Sequence, residues 1–125
     1  FGDSIYAAGN VFLMGAKPSK QESDPLEQPQ FEPGVELIER SDGMYLRITL
    51  DETWARQQRP LVTTKLLGKA KIPQALYEQP DGLPYRIEAD YFGNKRNAAD
   101  PFPGPFELPE GKRRVLKVWP LAAPQ

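Results

Sequence analysis

The stretch SIYAAGNVFL, residues 4–13, is the one on which the fold turns. Ile5, Ala7, Val11 and Leu13 fall on one side of an alternating pattern, and Tyr6, Ala8 and Phe12 on the other. Both sides are apolar, and a strand apolar on both faces is normally buried on both. Gly9-Asn10 predicts a bend or bulge part-way along. Such a segment has no use for two apolar faces unless other strands flank it. The chain runs into this pattern from Phe1, without Met, a basic leader or a small-residue cleavage site. That start reads as the cut edge of something longer or as an arbitrary boundary.

Downstream, residues 15–34 (GAKPSKQESDPLEQPQFEPG) carry four Pro and many polar side chains, which predicts an extended connector without regular structure. Leu26 and Phe31 are its expected anchors. Residues 35–50 (VELIERSDGMYLRITL) predict a β-hairpin. Ser41-Asp42-Gly43 supplies the turn, and Met44, Leu46, Ile48 and Leu50 alternate with Tyr45, Arg47 and Thr49. Asp51 is placed to cap a short helix over 51–58, which Pro60 terminates.

Residues 61–72 (LVTTKLLGKAKI) read as strand divided at Gly68, residues 73–84 as loop, and residues 85–92 (YRIEADYF) as strand. A Pro-punctuated loop over 97–111 is expected to anchor through Phe102 and Phe106, and a last strand runs from Arg113 to Trp119. The predicted core is Val11, Leu13, Leu37, Leu46, Ile48, Leu50, Leu66, Ile72, Ile87, Tyr91, Phe106, Leu116 and Val118. No internal repeat is visible. The sum is an all-β chain with one short helix.

Composition excludes more than it suggests. The 125 residues hold 10 Gly and 14 Pro, no Cys and no His, and a formal net charge of −1. Without Cys there is no disulfide framework or thiolate nucleophile; without His there is no imidazole base and no Cys/His zinc site. The near-zero charge argues against nucleic acid as a partner, and no apolar run reaches the ~18 residues of a membrane span. Phosphate-binding loops, the dinucleotide fingerprint, the G-x-S-x-G elbow, EF-hand spacing and N-x-[ST] sequons are all missing. No cofactor or metal is predicted.

Carboxylates remain as catalytic currency, with 17 Asp and Glu; Asp51/Glu52 and Asp90 are the least clearly solvated, and their ordinary reading is a helix cap, a first-turn dipole charge and an end-of-strand Asx turn. Trp54, Tyr85 and Tyr91 offer flat faces for stacking on sugar rings, with Arg86, Arg96 and Asp90 to bond hydroxyls, so these six are the candidate carbohydrate contacts. Core or rim packing is the competing use of the same aromatic residues. Lys95-Arg96 and Lys112-Arg113-Arg114 are small basic clusters of the kind that also guard strand edges.

Certain phrases carry a resemblance. AAGNVFLMGAKPS (7–19) resembles the final coil of secreted right-handed parallel β-helix proteins. LVTTKLLGKAKIP (61–73) and YEQPDGLPYRIEADYFGNKRNAADPFPGPFE (77–107) resemble their C-terminal tails. There a D-Y-F-G-x-x-R segment, here Asp90 to Arg96, precedes an N-x-x-x-P-x-P-G-P-F-E ending, here Asn97 to Glu107. The resemblance implies carbohydrate-active enzymes, polysaccharide lyases or glycoside hydrolases, whose catalytic groups project from the coils. Lyases of that type use a Lys or Arg base with Ca²⁺, hydrolases a carboxylate pair; neither set has counterparts here, so the catalytic residues are unknown.

The resemblance thus implies a last coil (1–16), a Pro-rich connector (17–34) and a β-rich C-terminal cap (35–125). On that reading the chain is the structural end of an exported protein, extracellular or periplasmic, not catalytic by itself. Its partners are a polysaccharide and either the rest of a longer β-helix chain or a partner subunit. The alternatives are a small β-sandwich-like carbohydrate-binding module working through Trp54 and Tyr91, an interaction subunit whose 15–34 arm wraps a partner, or a self-contained enzyme working through carboxylates, Lys or Tyr.

Overall fold

The computed structural model describes residues 6–121. Ser4 and Ile5, the start of the expected first strand, lie outside them. Among the described residues, seven strands, one 3-10 turn and one four-residue helix make up the regular structure, in keeping with an all-β chain.

The opening segment splits at Gly9, where φ is +67°, into β1 (Ala7–Ala8) and β2 (Val11–Leu13). The expected bend is there. The expected structureless connector is not: it contributes β3 (Glu22–Ser23) and β4 (Leu26–Gln28). β1 pairs with β3 and β2 with β4, both parallel, with Ala7 opposite Glu22 and Val11 opposite Leu26. Both pairs therefore lie 15 residues apart in sequence (22 − 7 and 26 − 11). The chain makes one circuit and comes to rest against itself in register. Prolines do not forbid this, because the paired stretches Glu22–Ser23 and Leu26–Gln28 contain none and need only two or three residues of extended backbone each. The Asn10 side chain ties the circuit by donating to both carboxylate oxygens of Glu22 at 3.0 Å.

The hairpin stands as expected. β5 (Glu36–Arg40) and β6 (Gly43–Leu50) are antiparallel, and β7 (Lys112–Trp119) adds to the far side of β6. Gly43 sits at φ +148°, and a Cβ there would lie 2.1 Å from the Trp119 carbonyl oxygen, so the turn and the third strand both require glycine.

Asp51 caps the next turn, accepting the Thr53 N–H at 2.9 Å; the helix that follows is a 3-10 turn, Glu52–Arg56. Residues 61–72 depart from the strand expectation. Thr63 caps α1 (Thr64–Leu67), its hydroxyl accepting the Leu66 N–H at 3.2 Å, and this local bond wins over the β preference of Val62, Thr63 and Thr64. Residues 85–92, expected as a strand, form only isolated bridges, at Arg86 and Ala89, and Tyr91 and Phe92 lie in a turn. Tyr85 accepts the Thr64 N–H and Ile87 donates to the Val62 carbonyl, and the ladder stops there because the Tyr85 N–H goes to the Thr64 hydroxyl and the chain turns into α1 at that residue.

The core is aromatic. Trp54 lies between Phe31, edge-on at 5.3 Å, and Phe102 at 5.9 Å, with Leu50 beside them. Val11, Leu13, Leu26 and Ile48 pack against this group, so the self-paired circuit and the three-stranded sheet share one centre. Leu26 and Phe31 anchor the connector, and Phe102 and Phe106 the late loop, as expected. Leu37, Ile72, Ile87 and Tyr91 are not core: all four are exposed, Ile72 by 95%. Leu37 alternates correctly, but nothing in the described chain covers its end of the sheet.

Candidate functional site

Residues 90–107 build a polar clasp from the D-Y-F-G-x-x-R and P-G-P-F-E phrases. Asp90 is buried. Its Oδ1 accepts the N–H groups of Phe92 (2.9 Å) and Asn94 (2.8 Å), and its Oδ2 accepts those of Glu107 (2.9 Å) and the Asn94 side chain (3.2 Å). Burial favours the neutral acid, but the donors of Glu107, Asn94 and Phe92 outweigh it and hold the carboxyl below its ordinary range. Glu107 is turned the other way: its carboxylate accepts the Phe102 N–H at 3.0 Å and the Asn97 N–H at 3.3 Å, and meets Arg96 Nη1 at 3.3 Å. Arg96 also donates to the carbonyls of Phe102 (3.2 Å) and Gly104 (3.0 Å). Buried charges persist when they are bonded this fully.

The six candidate contacts divide accordingly. Asp90, Tyr91 and Arg96 share the clasp; Tyr91 packs edge-on against Phe92 and Phe106 and donates its hydroxyl to the Val118 carbonyl at 2.6 Å. Trp54 is in the core with 5% of its surface exposed, and its indole N–H goes to Gln28 Oε1 at 2.9 Å. It presents no open face for a sugar ring. Tyr85 and Arg86 stand apart on the 63–88 arm, Tyr85 half-buried and Arg86 exposed and paired with Glu88 at 2.9 Å.

Beside the clasp is a cleft of about 250 Å³, lined by Tyr6, Asn10, Arg59, Ile87, Arg96 and Phe102 among others. Arg59 is its unexpected member. It is only 7% exposed, lies 3.0 Å from where a Gly9 Cβ would stand, and donates Nε–H to the Gly9 carbonyl at 2.6 Å. Its other bonds go to the Trp54 and Gln57 carbonyls and the Gln57 side chain. Burial draws its pKa down, and the charge of Asp100 pushes partly back. A lone Arg before Pro60 offers no sequence pattern from which this could be read. A second, apolar groove of about 450 Å³ runs between β2, the inner face of β6 and Pro103–Phe106.

One solved structure resembles this whole arrangement. It is described as the complex structure of XylC with xylose. The match has a TM-score of 0.80 and 30% sequence identity, and covers 91% of this chain but 18% of that one. XylC is thus a much longer chain, of which the present one corresponds to less than a fifth. No protein-family model and no curated protein matches. Among the described residues no group of three or more His, Cys, Asp or Glu is placed to hold a metal ion, and no helix is long and apolar enough to cross a membrane.

Proposed function

We infer that the chain is the structural end of an exported carbohydrate-active protein, closing a stack of parallel β coils rather than performing chemistry itself. The observation that carries this is the pairing of β1 with β3 and β2 with β4 at one constant spacing. Parallel strands related by a fixed sequence offset are what successive coils of a solenoid present, rising by ~4.8 Å per level. Among the described residues, β1 and β2 have strand partners on one edge only. β3 and β4 are one-sided as well; on this reading the β1–β2 edge takes a further coil, and the 35–119 sheet and clasp serve as the lid. The likeness to a protein solved with xylose supports a carbohydrate setting for the whole. On the same reading the partner is a polysaccharide and the location extracellular or periplasmic.

The test is the behaviour of the 125-residue chain in isolation. Sedimentation velocity is expected to show concentration-dependent association, and thermal unfolding a broad, weakly cooperative transition, because the β1–β2 edge is unsatisfied. A monodisperse monomer with a sharp melt removes the capping role.

A further inference from the structure

The 63–88 arm is shaped but not filled. Its base is closed by the Thr63–Arg86 bridge, by the Thr64 N–H donating to the Tyr85 carbonyl at 2.9 Å, and by the Thr64 hydroxyl, which accepts the Tyr85 N–H and donates to the Tyr77 carbonyl. Further out, the Ala70 N–H meets the Ala75 carbonyl and the Gln79 N–H the Leu83 carbonyl, both at 2.8 Å, so two tight turns hold its form. Yet from 71 to 84 every residue but Gln79 is exposed. Four large apolar side chains are among them, with Ile72 exposed by 95%, Leu83 by 61%, Leu76 by 48% and Tyr77 by 46%. A turn is ordinarily made of Gly, Pro, Asn, Asp or Ser; the 71–74 turn instead presents Ile72 to solvent. Single exposed apolar residues are common, but four on one hydrogen-bonded excursion that buries none of them are the mark of a contact surface.

Where the arm is rooted points to what covers it. Val62, Leu66 and Ile87 at its base line the same cleft as Tyr6 and Ala8. Ala8 belongs to β1, which has a strand partner on one edge only among the described residues. A coil added to the other edge stands beside the root of the arm. Chain to supply it is ample in a protein of the XylC kind, of which the match covers 18%. We propose that the 70–84 excursion is a strap that lies along the flank of coils upstream of β1 in the same polypeptide, with Ile72 and Leu76 as its apolar contacts. The strap rests on the capping reading above. The two fail separately, since capping is read from the association and melting of the 125-residue chain and the strap from side-chain access in the full gene product.

The experiment is hydroxyl-radical footprinting of the full gene product, read residue by residue by mass spectrometry and referred to the rates in its tryptic digest. Ile72 and Leu76 are expected to react at least about tenfold more slowly than in the digest, since burying one such side chain favours the docked arm by that factor or more. Ile72→Lys in the full product is expected to return Leu76 to about its digest rate while Phe102, enclosed within the core, stays protected. Ile72 and Leu76 reacting at digest rates beside a protected Phe102 overturn the strap and leave capping standing. Protection of Leu76 that survives Ile72→Lys overturns the contact assigned to Ile72. Protection that is lost on dilution assigns the surface to a second copy of the chain and overturns the strap.

Discussion

Asp90 and Glu107 grip each other's loops in opposite senses: Asp90 Oδ2 accepts the Glu107 N–H at 2.9 Å, while the Glu107 carboxylate reaches back to the Phe102 N–H and Arg96. The conspicuous motif of the chain is thereby accounted for as a fastening. It closes the late loop over Phe102, the largest fully buried side chain among the described residues.

Asp90→Asn is expected to destabilise the chain by about 1–3 kcal/mol, since the amide turns a donor towards main-chain N–H groups that need an acceptor. The pH dependence has a definite sign. The folded-state pKa lies below the ordinary 3.8, so the contribution is complete above the unfolded value and is lost as pH falls through the folded one. Urea titrations between pH 7 and pH 2 are expected to show the wild type losing stability in the acid range, with Asp90→Asn lacking that share of the loss.

Trp54→Ala removes the centre of the Phe31–Trp54–Phe102 stack and is expected to cost about 3–5 kcal/mol. Trp54→Phe keeps most of the packing but leaves Gln28 Oε1 without its donor, for a loss of about 1–3 kcal/mol. Chemical denaturation measures both, and the order Ala worse than Phe checks that packing dominates the hydrogen bond.

Asp51→Ala is expected to cost about 1 kcal/mol, the usual worth of an N-cap. The Thr53 N–H holds the Asp51 carboxyl below its ordinary range, so this contribution too is present at neutral pH and fades on acidification through the lowered value. A wild-type-minus-variant stability difference that shrinks between pH 5 and pH 2 is the expected reading.

Gly111 has φ +66°, and a Cβ on it would stand 2.5 Å from the Glu52 nitrogen and 2.8 Å from the Leu50 carbonyl oxygen. Gly82 has φ +82° and open space around it. Gly111→Ala is expected to lose well over the ~1–2 kcal/mol that the left-handed backbone alone costs, and Gly82→Ala no more than that. Melting temperatures of the two variants separate steric crowding from backbone preference.

Ile72→Lys is expected to change stability by less than about 0.5 kcal/mol, because the side chain is 95% exposed. A large loss in thermal melts would place Ile72 against a surface the monomer does not show.

What the sequence reveals about this fold depends on how local the cause is. The 35–50 hairpin, the Asp51 cap and the closing strand rest on alternation and short-range hydrogen bonds, and all are visible in the letters. β3 and β4 are not: two or three residues carry no period, and their partner is set by a distance of 15 positions rather than by neighbours. The 64–67 helix is hidden by β-branched residues, one of which, Thr63, caps it through its hydroxyl. At the site, Asp90, Tyr91 and Arg96 stood out by type, yet their bonds run inward to Glu107, Phe102 and Val118. Arg59 joins the cleft only because the circuit brings Gly9 to it across 50 positions of chain.

The equal spacing of the two self-pairings has one more consequence. Between Leu13 and Glu22 the chain tolerates changes of composition, since few side chains there are enclosed. A slip of the two short ladders is another matter: moving them by one residue would put Pro25 or Glu27 where Leu26 now packs beside Trp54. Evolutionary drift in this segment should therefore read as free spelling within a fixed metre.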